Sequence, residues 1–128
     1  MKTLSKEKED YLKIISQCQG ENKFVKNEKL AKQLCLANST VTEMCQKLSK
    51  ERLVTYTPYK GVKLTKKGIE YVKTLEERQR ILRSFLDKTL HCDEKEMNYL
   101  LNHLEHIDCQ LFFDKLAEFE KQSKIRLA

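Results

Sequence analysis

Apolar residues recur along this chain at helical spacing, except for one short interval where they alternate. Tyr11, Leu12, Ile14, Ile15 and Cys18 form a stripe that predicts a first helix from about Ser5 to Gln19, stopped at Gly20. Leu30, Ala31 and Leu34 mark a short second helix. After the turn Leu36-Ala37-Asn38, Val41, Met44, Cys45 and Leu48 follow i, i+3, i+4, i+7. They predict a third helix, with Asn38 or Thr40 (with Glu43 three residues later) as its cap. Alternation then takes over: Val54 and Tyr56 against Thr55 and Thr57, followed by Val62 and Leu64. Pro58-Tyr59-Lys60-Gly61 supplies turn residues between these two strands. Helical spacing returns at Ile69, Val72, Leu75, Leu82, Phe85 and Leu86, predicting a long helix capped by Thr65 and running to about Leu90. Gln79 interrupts that stripe, either as a core exception or as a residue facing a site. Met97, Leu100, Leu101 and Leu104 predict a fifth helix, roughly Asp93 to His106. A sixth follows, capped by Asp108, with Leu111, Phe112, Leu116 and Phe119 expected to be buried.

A helix pair joined by a tight turn and followed by a hairpin is the order of a winged helix-turn-helix. The fold class expected is mainly α, with three N-terminal helices and a hairpin wing. On the third helix, Ser39, Glu43, Gln46 and Lys50 point away from the apolar stripe, with Thr42 and Lys47 at its margins. Such a face is most often only solvated. Here the preceding helix, the short turn and the strands after it favour DNA reading. Gln bonds adenine, Glu accepts from cytosine, and Lys pairs with phosphate or guanine. The candidate DNA contacts are Ser39, Thr40, Thr42, Glu43, Gln46 and Lys47, with Tyr59 and Lys60 at the wing.

Charge changes the picture by being uneven. The chain of 128 residues carries a formal net charge of +6. Residues 1–75 hold 16 basic and 8 acidic side chains, a balance of +8, whereas residues 76–128 hold 9 and 11, a balance of −2. The positive part coincides with the proposed winged helix, as a phosphate-seeking surface requires. No apolar run is long enough to span a bilayer and no signal-peptide pattern is present, so a soluble cytoplasmic protein with no membrane partner is expected. Cys18, Cys35, Cys45, Cys92 and Cys109 form no C-x-x-C pair, and the first three read as buried thiols. Neither a phosphate loop nor a catalytic zinc pattern occurs, and an enzyme is not expected.

Two features of the C-terminal half suggest further partners. Phe112, Phe113 and Phe119 are more aromatic surface than a thin helical layer needs, which favours pairing with a second copy of the chain over a monomeric core. Asn102, Glu105 and His106 fall at i, i+3, i+4, opposite the apolar face of the fifth helix. Amide oxygen, carboxylate and imidazole make a half-shell for a divalent cation, or an ordinary polar surface.

The runs STVTEMCQKL and ERLVTYTPYKGVKLTKKG resemble the winged-helix signature of the diphtheria-toxin-repressor and manganese-transport-regulator family, metal-activated bacterial transcription factors. EDYL in the first helix and LEHIDCQLF near the end extend the resemblance over nearly the whole chain. It implies a winged-helix DNA-binding domain over 1–72 and a helical dimerisation and metal domain over 73–128, without the SH3-like domain of longer members. It also implies a metal site of Asp10, Asn102, Glu105 and His106. Three positions depart from the family pattern. Asn102 stands where Glu or Cys is usual, Lys13 where manganese-type members place a second carboxylate, and Gln79 where a His occurs. Arg83 and Asn98 stand at the ancillary-site positions, so one mononuclear site is expected, with His103 or Cys109 as replacement ligands. The implied function is a homodimeric repressor of metal homeostasis, activated by Mn²⁺ or Fe²⁺ (or by Zn²⁺ or Co²⁺) on a double-stranded operator. Three alternatives stay open: Lys13 neutralising the carboxylates so that no metal is needed, thiol sensing through Cys92 and Cys109, or a winged helix that binds protein instead of DNA.

Overall fold

The computed structural model describes residues 4–19 and 23–127. Among them, in chain order, are α1 (Lys6–Gln19), α2 (Asn27–Leu34), α3 (Asn38–Lys50), β1 (Val54–Thr57), β2 (Gly61–Leu64), α4 (Lys66–Lys88), α5 (Glu94–Leu104) and α6 (Gln110–Leu127). Six helices and one hairpin match the sequence expectation. Gly20, the expected stop of α1, lies outside the described residues. The chain divides into two compact units, Met1–Lys73 and Thr74–Ala128, with α4 beginning in the first and ending in the second.

In the first unit the apolar stripes converge as their spacing requires. Tyr11, Leu12 and Ile15 of α1, Leu30 and Ala31 of α2, and Val41, Met44, Cys45 and Leu48 of α3 are all buried. The expected cap of α3 does not form. The helix begins at Asn38 itself, with Ala37 in the N-cap position and no side-chain cap bond. A missing cap costs about 1 kcal/mol. Each buried aliphatic side chain of the stripe contributes roughly 1.5–3 kcal/mol, so packing outweighs it. Cys35 also departs from expectation: its thiol is exposed. It is the left-handed C-cap of α2, at φ 56, with the Leu36 amide donating to the Ala31 carbonyl at 3.0 Å. That is a Schellman ending, in which Gly is the usual occupant. Cys18 is only half-buried, and Cys45 alone of the three fits a buried thiol.

The hairpin is antiparallel, pairing Val54 with Leu64 and Tyr56 with Val62. Its second strand is clipped, near the turn, to the segment before α2. The Val25 amide donates to the Val62 carbonyl at 2.7 Å, and the Val62 amide donates back at 2.9 Å. Gly61, at φ 106, lies so close that a Cβ there would sit 2.0 Å from the Val25 carbonyl oxygen. From α1, the buried Gln19 carboxamide oxygen accepts from the Leu64 amide at 2.7 Å. Thr65 caps α4 as expected, accepting from the Gly68 amide at 3.1 Å.

The second unit is built on a cluster of Ile81, Leu82, Leu86, Met97, Leu101, Phe113 and Leu116. A capping box starts α5: the Glu96 amide donates to Asp93 at 2.7 Å, and the Asp93 amide donates to Glu96 at 3.0 Å. The buried face of α6 differs from the expected one. Phe113 and Leu116 are buried, but Leu111, Phe112 and Phe119 are 65%, 36% and 41% exposed. The run Leu111-Phe112-Phe113 is apolar all round the helix, so spacing alone could not choose which ring turns inward.

Candidate nucleic-acid interface and metal ligands

The buried stripe of α3 fixes which residues look outward. Ser39, Thr40, Glu43, Gln46 and Lys47 are exposed, as is Lys50. Thr42 sits at the margin, half-buried, and its Oγ1 accepts from Asn27 Nδ2 of α2 at 2.9 Å. The face therefore offers hydroxyl, carboxylate, carboxamide and ammonium groups on one rigid helix, the repertoire for reading base edges and phosphates.

At the wing tip, Pro58 takes the second position of a turn closed by the Lys60 amide donating to the Thr57 carbonyl at 3.1 Å. Tyr59 takes the third position at φ 68, where Gly or Asn is favoured, and its side chain is fully exposed. A bulky residue held in that region costs on the order of 1 kcal/mol or more, and folding recovers nothing from an exposed ring. Lys60 and Lys63 place their ammonium nitrogens 6.0 and 5.1 Å from the centre of the Phe24 ring, gathering positive charge beside the tip.

Two candidate metal ligands converge in the second unit. Glu105 Oε1 and His106 Nε2 lie 3.1 Å apart, and the two side chains are 12% and 11% exposed. Glu105 is the C-cap of α5, so the pair sits where the helix ends. Gln79, the polar break in the α4 stripe, donates to Glu105 Oε2 at 3.3 Å. It therefore faces this site and holds the carboxylate from behind, as an outer partner of a ligand does. A largely covered carboxylate beside an imidazole nitrogen suits Mn²⁺, Fe²⁺, Co²⁺ or Zn²⁺. Asn102 is exposed, as is His103, whose ring packs 4.7 Å from Tyr99. Asp10 lies half-buried on α1 of the first unit, with Lys13 one turn further on. Cys109 is exposed. Desolvation, then the carboxylates of Glu96, Asp93 and Asp87, push the Cys92 thiol above its ordinary value, so it holds less reactive thiolate. Sequence reasoning missed Asn27 and Gln19, whose partners lie on other elements and leave no local pattern.

Comparison with known proteins places these features in a family. Residues 3–62 match the model of the iron dependent repressor N-terminal DNA binding domain. An uncharacterized HTH-type transcriptional regulator of Methanocaldococcus jannaschii is 34% identical over 122 residues, covering 94% of this chain and 98% of that protein. The HTH-type transcriptional regulator MntR of Bacillus subtilis is 33% identical over 98 residues, 77% of this chain and 68% of that one. Among solved structures, ScaR with bound Zn²⁺ superposes with a TM-score of 0.80 at 28% identity, over 89% of this chain. This chain spans only 53% of the ScaR chain. A hypothetical protein of Sulfolobus solfataricus shares the fold at a TM-score of 0.80, with 93% of this chain and 91% of that one covered. Among the described residues, no helix is long and apolar enough to cross a membrane. With its winged helix, its outward-facing α3 and these relatives, the chain belongs to the diphtheria-toxin-repressor and manganese-transport-regulator family of HTH-type transcriptional regulators.

Proposed function

We propose that the protein is a homodimeric cytoplasmic repressor that binds a two-fold operator when a divalent metal, Mn²⁺ or Fe²⁺ first, is bound. The observation that carries the DNA part is the exposed face from Ser39 to Lys50, beside a wing whose tip holds Tyr59 in a costly conformation with its ring in solvent. Ser39, Thr40, Thr42, Glu43, Gln46 and Lys47 read the major groove, and Tyr59 and Lys60 take the flanking backbone. Relatives described as a manganese regulator, SloR, and as a metal-dependent transcriptional regulator, MtsR, support the metal part. So does the Glu105–His106 pair with Gln79 behind it.

Glu105 and His106 would hold the ion, with Asp10 and the neutral Asn102 as the further ligands that the family resemblance implies. Bound there, a divalent ion would supply positive charge against the carboxylates. It acts by binding the DNA-competent arrangement more tightly than other arrangements. The exposed Leu111, Phe112 and Phe119 of α6 form the surface for the second copy. Titrating Mn²⁺, Fe²⁺, Co²⁺ and Zn²⁺ into apo-protein, while following stoichiometry and operator binding, tests this. Operator affinity should rise about tenfold or more, and Glu105→Ala or His106→Ala should abolish the rise. If a chelator leaves operator binding unchanged, the metal part fails and the DNA part stands.

A further inference from the structure

The contact between α2 and α3 carries information about what α3 reads. Asn27 is the first residue of α2, and its Nδ2 donates to Thr42 Oγ1 at 2.9 Å. A threonine hydroxyl has one proton to give and two lone pairs to accept with. In this arrangement one lone pair is already engaged by Asn27. Among the described residues, no acceptor takes the Thr42 proton. Thr42 lies at the edge of the outward face, beside exposed Glu43 and Gln46.

The alternative orientation of the Asn27 amide would exchange these roles. The Thr42 hydroxyl would then donate inward to Asn27 Oδ1 and offer the duplex only lone pairs. The structure shows the first orientation, with Asn27 Oδ1 buried and, among the described residues, accepting from no group. Swapping the ends would leave a buried NH₂ there in place of an oxygen. Unpaired buried N–H groups are rarer than under-satisfied oxygens, so the observed orientation is the favoured one.

We infer that Asn27 is a positioning residue that fixes Thr42 as a hydrogen-bond donor toward the operator, and so sets base preference at one position. A donor there selects base edges presenting an acceptor, such as thymine O4 or purine N7, over the cytosine N4 and adenine N6 amino groups. Asn27 does not touch the bases itself. This inference rests on the proposal that Thr42 reads DNA.

The test is selection of binding sites from a random duplex library by the full-length protein with Mn²⁺, for wild type, Asn27→Asp, Asn27→Ala, Thr42→Val and the double variant Asn27→Ala/Thr42→Val. An aspartate at 27 can only accept, so it turns the Thr42 hydroxyl inward. Asn27→Asp and Thr42→Val should change preference at the same base pair. Asn27→Asp should shift it by about fivefold toward bases bearing an amino group, the scale of one hydrogen bond. The double variant should match Thr42→Val alone. Thermal melts of each variant separate folding defects from altered reading. An unchanged motif for Asn27→Asp beside a changed one for Thr42→Val overturns the inference. So does a uniform loss over all sequences, or an additive double variant. A wild type that enriches no motif removes the DNA reading itself, and the inference with it.

Discussion

The two units solve the burial problem differently. The first closes its core with residues from three helices and a hairpin, and what it leaves in solvent is almost entirely polar or charged. Among the described residues, the large apolar exceptions are Leu36 in the helix-turn-helix turn and Tyr59 at the wing tip. The second unit has a smaller cluster and leaves Leu90, Tyr99, Leu111, Phe112 and Phe119 exposed. A unit of this size buries only part of its surface when alone. The second unit thus keeps apolar side chains at its surface, whereas the surface of the first offers mostly polar and charged groups. The contrast teaches that the same helical spacing can close a core in one half and leave an apolar face uncovered in the other.

The strongest way to break that contrast is through the cores. Phe113→Ala should destabilise the second unit by about 3–5 kcal/mol in denaturant unfolding. If it costs under about 1 kcal/mol, the second unit is not organised around that ring. Next comes the surface of α6. Leu111→Glu with Phe119→Glu should weaken dimerisation by about a hundredfold in sedimentation, since a few central apolar residues dominate such interfaces. Helix content should be unchanged. An unaltered dimer would place the pairing surface elsewhere. A smaller effect is expected at the wing: Lys60→Ala should weaken binding to all duplexes about equally and lower the salt slope by about one. A change in sequence preference would make Lys60 a reader rather than a phosphate contact.

The smallest effect concerns Cys45. Burial pushes its thiol from 9.0 up to about 11. Between those values the unfolded chain loses a proton that the folded chain keeps, so this group's contribution to stability falls as pH rises from about 9 through about 11. Below 9 the contribution is complete. Cys45→Ala should flatten that part of the stability profile. At pH 8 an alkylating reagent should label exposed Cys35 and Cys109 well before Cys45.

Much of this was legible in the residues, and the misses have physical causes. The stripe Val41, Met44, Cys45, Leu48 named both faces of α3 because its polar and apolar residues separate cleanly. Asn38 misled as a cap because packing moved the helix start by one residue. Cys35 looked like a core residue by spacing, but the helix ends on it. Three consecutive apolar residues hid the phase of α6, so Phe112 was expected inside and Phe113 proved to be there. At the sites, Glu105 and His106 were readable as a polar pair, though α5 ends at Leu104 rather than running through them, and Gln79 only as an anomaly. That it donates to Glu105 depends on two helices meeting, which no single stretch encodes.

The clip between Val25 and Val62, with Gly61 pressed against it, separates the hairpin into a fixed stem and a free tip. Changes from Pro58 to Lys60 leave the stem's bonds intact, whereas any side chain at 61 must displace backbone. The tip can thus be varied, or other loops grafted there, without disturbing the scaffold that aims it.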